Sequence, residues 1–190
     1  MSAPSEHLRR WPVRVEAATP EALAPFGRII GRYPGLPAVP VDYYGGSVIL
    51  SRPVDYECRS GTELSLASIN RRPLQVRYLE RHFQHTQAFI PLGGKPFMVV
   101  LAPPSPADLP DPREVRAFRF DGSAGLCLHI GTWHEFPFAL EDGTDIVVVL
   151  SRQTTGDLQQ RAENGIEAFG PDLDKKDMTL RLGTIFELQP

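Results

Sequence analysis

The stretch LERHFQHTQAFIPLGG, residues 79–94, places Glu80, His82, His85 and Gln87 just ahead of a Pro/Gly turn. Successive side chains of a strand point to opposite faces, so Glu80 and His82 point together while Leu79 and Arg81 point away. In the next run Gln87 shares a face with Phe89, and Ala88 with Ile90. If the two strands lie in one sheet, Gln87 joins Glu80 and His82 in a common pocket. Some fifty residues later LHIGTWHEFPFAL, residues 128–140, brings His129 and His134 to either side of Gly131. These two stretches hold four of the five histidines of the chain.

Working outward, proline supplies 19 residues and glycine 16, spread along the chain at short intervals. The segments between these breaks are apolar, β-branched or alternating: GGSVILS, LSLASIN, LQVRYLE, TQAFIPL, PFMVVLA, VRAFRF, GLCLHI, TDIVVVLS and TLRLGTIFEL. Short, regularly spaced strands with turn signals predict an all-β antiparallel sandwich or barrel. Helical signal is sparse. In TPEALAPFG, Thr19 fits an N-cap, Pro20 the first helical position and Glu21 the first turn, with Pro25 and Gly27 ending the helix early. A second short helix is expected after Asp157. The Pro-rich segments 31–46 and 102–115 read as surface loops, and no repeat of solenoid period occurs. The length of 190 residues suits a single domain. We expect an N-terminal extension (1–18), a barrel (19–150) and a C-terminal extension (151–190) packed on it.

A formal charge of -3 offers no basic field to neutralise phosphates, so nucleic acid is not expected as a partner. No run of about 18 apolar residues exists, and the first residues lack the apolar core of a signal peptide, which predicts a cytoplasmic protein with no membrane association. Cys58 and Cys127 belong to no C-x-x-C pair and read as reduced packing residues. His7 reads as solvent-exposed and His85 as a residue of the site's rim.

The spacing Glu80-x-His82-x4-Gln87-x6-Gly94 resembles the first cupin motif, His-x-His followed by Glu and Gly. His129-x-Gly131-x-x-His134 resembles the second, Pro-x-Gly-x-x-His. In this chain Glu80 stands for the first histidine, Gln87 for the glutamate and His129 for the proline. With the flanking pieces TPEALAPFG, SINRRPL, VRAF and GTWHEFPFAL, residues 19–150 resemble the ureidoglycolate lyase family, and the match is expected to fail beyond Leu150. The resemblance implies a double-stranded β-helix, or jelly roll, and cleavage of ureidoglycolate to glyoxylate and urea in allantoin and purine degradation. It also implies a homodimer, which would cover the open sheet edges of a jelly roll.

The residue types suit that chemistry. Ureidoglycolate is a hemiaminal; a base takes its hydroxyl proton, an acid protonates the departing nitrogen, and no nucleophile or organic cofactor is needed. Glu80, His82 and His134 are the catalytic candidates. Glu80, His82, Gln87 and His134 equally suit a divalent ion such as Mn, Ni, Zn or Fe, which would acidify the hydroxyl. Both assignments fit the sequence. For the substrate carboxylate, Asn70 and Arg71 in SINRRP are candidates, Arg71 as a bidentate fork. Gln87, His129 and Trp133 complete the expected substrate-binding set, and Arg81 is expected in a structural ion pair or an interface. Two other readings fit the same residues: a cupin that binds a small carboxylate without turnover, and a metal-dependent enzyme acting on another 2-hydroxy or 2-oxo acid.

Overall fold

The structure, a computed structural model, describes residues 8–42, 44–161 and 167–190; His7 lies outside them. The expected all-β, jelly-roll-like architecture is what the chain forms. The strands are β1 (Arg9–Ala17), β2 (Gly27–Ile30), β3 (Thr62–Ile69), β4 (Gln75–Val76), β5 (Tyr78–His82), β6 (Ala88–Leu92), β7 (Phe97–Ala102), β8 (Arg116–Phe120), β9 (Gly125–Leu128), β10 (Trp133–His134), β11 (Phe138–Ala139), β12 (Thr144–Ser151), β13 (Ala168–Phe169), β14 (Leu173–Asp177) and β15 (Thr184–Gln189). Three short α-helices accompany them among the described residues, α1 (Pro20–Leu23), α2 (Arg152–Arg161) and α3 (Met178–Leu182), with one 3-10 turn at Pro112–Glu114. A five-stranded sheet runs β2-β9-β6-β12-β3. A larger one runs β13-β14-β5-β10-β7-β8-β1-β15-β4, with β11 also on β7.

β7 explains how the layers are built. Its sequence FMVVLA is apolar throughout because both of its faces are covered. Phe97, Val99 and Leu101 enter a core with Phe89, Phe118, Leu126 and Ile146, between the two sheets. Met98, Val100 and Ala102 enter a second core with Val13, Leu79, Trp133 and Phe186, on the other side of the larger sheet. β1, from the expected N-terminal extension, runs parallel to both β8 and β15. β1 and β15, early and late in the described residues, are thus woven side by side into the larger sheet.

Three local expectations are corrected. GGSVILS forms no strand: Gly45 and Gly46 take φ of 58° and 80°, and the segment makes only an isolated bridge from Ser51 to Ala38. The second helix starts at Arg152 rather than after Asp157, because Ser151 Oγ accepts the Gln153 N–H at 3.1 Å and caps it. Asp157 instead turns inward and accepts bonds from Gln153 Nε2 and the Asp172 N–H. TLRLGTIFEL is split, since Asp177 accepts the Thr179 and Leu180 N–H groups and caps α3, and Gly183, at φ 59°, ends it before β15. α1 forms as read, with Thr19 Oγ1 accepting the Ala22 N–H at 3.2 Å.

Candidate active site

The two motif strands meet directly, for β10 pairs with β5 and sets His134 opposite Glu80. Alternation sends Glu80 and His82 to one face and Leu79 and Arg81 to the other. Leu79 enters the second core, and Arg81 pairs with Asp174 at 3.0 Å with its guanidinium over Trp133. On the site face one ligand atom each from Glu80, His82 and His134 fall within 4.8 Å of one another, all three residues being buried. The His82 and His134 rings are 5.1 Å apart, and Phe89 stands edge-on to His134 at 6.0 Å. Gln87, just ahead of β6, is buried as well.

The protons on the imidazoles follow from their partners. His134 Nδ1 lies 3.0 Å from the Thr132 carbonyl, and His82 Nδ1 3.2 Å from the Asp172 carbonyl. A carbonyl can only accept, so Nδ1 carries the hydrogen and each Nε2 presents a lone pair. Both Nε2 atoms and Gln87 Oε1 are buried without a hydrogen-bond partner; His134 Nε2 is 3.7 Å from Glu80 Oε1. Buried polar atoms left unmatched cost free energy unless something meets them. Two imidazole lone pairs and a carboxylate, with the rings held by backbone carbonyls, form a donor set able to hold a first-row divalent ion.

Electrostatics fixes the charge states. Burial pushes His82 down to about 3, helped by the neighbouring His134. Burial also lowers His134, although Glu80 opposes it. Burial would raise Glu80, but Lys175, His134 and His82 together outweigh it and hold the carboxyl below its ordinary range. Lys175 Nζ is 3.1 Å from Glu80 Oε2. At neutral pH the site therefore contains a carboxylate and two neutral imidazoles.

A second group joins this one from behind. Asp172 Oδ1 accepts the Phe83 and Gln84 N–H groups at 3.0 and 2.7 Å, and Oδ2 accepts from His85 Nδ1 at 2.8 Å and Thr154 Oγ1 at 3.2 Å. His85, expected at the rim, is instead buried at 1 % exposure because the tail closes over it.

The other candidates are not gathered here. Asn70 Oδ1 accepts the Gly143 N–H, and Arg71, exposed on the surface, pairs with Asp142 at 3.4 Å. Arg71, expected as a carboxylate fork, thus meets the Asp142 carboxylate here. Its neighbour Arg72 turns inward, but donates to the Phe136 and Pro137 carbonyls at 2.7 and 2.8 Å. Trp133 is fully buried in the second core, opposite in direction to His134. His129 bonds to the Ala24 carbonyl and lines a separate cavity of about 220 Å³ with Arg28, Arg52, Glu57 and Cys127. Both cysteines are free, Cys127 buried and Cys58 half-buried. Sequence reading missed Asp172 and Lys175, which no spacing rule connects to residues ninety positions away.

Comparison with known proteins gives the family of the chain. The family model described as ureidoglycolate lyase matches residues 11–167, further in both directions than the expected 19–150. A protein of Azotobacter vinelandii named ureidoglycolate lyase is 35 % identical over 147 residues, covering 71 % of this chain and 82 % of that one. Its namesake in Pseudomonas aeruginosa is 36 % identical over 146 residues (72 % and 82 %), and that in Pseudomonas putida 37 % over 140 residues (71 % and 81 %). The chain belongs to the ureidoglycolate lyase family.

Proposed function

We propose that the protein is a carbon–nitrogen lyase that cleaves ureidoglycolate to glyoxylate and urea. The observation that carries this reading is the pair of lone-pair-bearing His82 and His134 Nε2 atoms beside the ionised Glu80, inside a chain of this family. Glu80 accepts the proton of the substrate hydroxyl. As the carbon–oxygen bond becomes a carbonyl, the carbon–nitrogen bond breaks and the departing urea nitrogen takes a proton. The proton removed and the proton required are equal in number, so one acid–base group can serve both transfers. His134 Nε2, next to Glu80, has a lone pair to accept a hydrogen bond from a ureido N–H of the substrate, since the single hydroxyl proton goes to Glu80.

The donor set fits a divalent ion, for which Glu80, His82, Gln87 and His134 would be the ligands. Bound there, Mn, Ni, Zn or Fe would lower the hydroxyl pKa. The segments 1–18, 19–150 and 151–190 act as one domain in this reading, supported by β1 and β15 lying side by side in the larger sheet. The reading also includes a cytoplasmic homodimer; no helix among the described residues is long and apolar enough to cross a membrane. Leu64 and Leu66, 75 % and 63 % exposed, lie in register with Val149 and Val147 on the outer face of the five-stranded sheet, an apolar patch suited to a second copy. The test of the activity is equimolar release of urea and glyoxylate from ureidoglycolate by purified protein.

A further inference from the structure

A substrate that is a carboxylate needs a cation at its site, and the arginines near this one are engaged. Arg71 sits on the surface with Asp142. Arg72 spends its fork on two backbone carbonyls and lays its face on the Phe138 ring at 3.8 Å. Arg81 is on the opposite face of β5, paired with Asp174 and bonded to the Ser105 and Ala107 carbonyls. Lys176, the neighbour of Lys175, also points to that opposite face, where it meets Asp108 and Asp174.

Lys175 differs from all of these. β14 pairs antiparallel with β5 in a register that sets Lys175 directly opposite Glu80, so the two side chains emerge on the site face. Its ammonium is 3.1 Å from Glu80 Oε2, and its side chain is 30 % exposed against 11 % for Glu80. It therefore stands between the buried carboxylate and the solvent. An ammonium has three donors, so one bond to Glu80 leaves capacity for an incoming anion.

We infer that β14 is part of the active site and that Lys175 binds the carboxylate of the substrate. The inference deepens the lyase reading and takes the substrate's chemistry from it. Residue 175 lies beyond the region that the family model matches, residues 11–167, so the tail brings to the site a group that the matched region does not contain.

The test compares wild type with Lys175→Met and Lys175→Arg in binding oxalurate, whose carbonyl in place of the hydroxyl prevents elimination, and oxaluramide, which lacks the carboxylate. Removing one charge-assisted bond is expected to weaken oxalurate binding about tenfold to a hundredfold in Lys175→Met. Oxaluramide binding stays within about twofold, Lys175→Arg recovers most of the loss, and KM for ureidoglycolate rises, with kcat also falling because Glu80 loses its neighbouring cation. Unaltered oxalurate affinity in folded Lys175→Met, equal weakening of both ligands, or no oxalurate binding by wild type overturns the inference. If Lys175→Met does not fold, Lys175→Gln carries the same comparison. Failure of the lyase reading is separate: wild type would then release no glyoxylate, yet Lys175-dependent oxalurate binding would persist.

Discussion

Asp172 Oδ2 lies 2.8 Å from His85 Nδ1, and both side chains are shut off from solvent. Asp172 also accepts two backbone N–H groups of the turn after β5, while its own carbonyl fixes His82. One residue of the tail therefore shapes the turn between the two halves of the first motif. Asp172→Ala leaves four donors facing a void, and we expect destabilisation of about 3 kcal/mol, the usual range for breaking a buried pair. Chemical denaturation of wild type and variant measures it; a change within about 0.5 kcal/mol would contradict the role.

Stability should also depend on acid in a defined direction. His82 is held near 3, against an ordinary 6.5, so below pH 6.5 the unfolded chain binds a proton that the native state refuses. Asp172 is held near 2, against an ordinary 3.8, because the His85 bond and the other donors outweigh its burial. Its stabilising contribution is present above the ordinary value and fades as pH falls toward 2. Both effects make stability fall with acid, first below about pH 6.5 and then more steeply below about pH 4. Urea denaturation at a series of pH values checks this, and a flat profile between pH 7 and 4 would count against it.

The donor set predicts metal dependence. Chelation should abolish turnover and one of Mn, Ni, Zn or Fe should restore it, with His82→Ala and His134→Ala each lowering metal affinity by at least about tenfold. Elemental analysis and competition titration provide the readout; full turnover by protein freed of metal would assign the histidines to acid–base work alone.

The outer face of the five-stranded sheet carries a prediction about assembly. Leu64→Glu combined with Leu66→Glu places charges in an exposed apolar row and should convert a dimer to a monomer without unfolding it. Sedimentation of the variant measures this, and a dimer that survives both charges would move the contact elsewhere.

How much of this was legible in the sequence depended on the kind of signal each segment carries. β7 and β12 were readable because their apolar or β-branched runs sit in the interior. Alternation along LERH put Glu80 and His82 on one face, and the structure keeps them there. The same rule separates Trp133 from His134, which are adjacent in one strand; applied consistently, it sends the tryptophan to the second core. β14 escaped because LDKKD has no apolar period: its charges are matched by Arg81, Asp108 and Glu80, long-range partners that a strand pattern cannot register. Arg71 and Arg72 are equal in the sequence, and only the turn of the backbone decides which one faces inward.

The most direct test of the account is the rate of urea and glyoxylate release from ureidoglycolate by wild type and by folded Glu80→Gln, which keeps the shape of residue 80 and removes its charge. Equimolar products are expected from wild type and a loss of about a hundredfold or more in the variant. Equal rates in the two proteins, or no release by wild type, would contradict it.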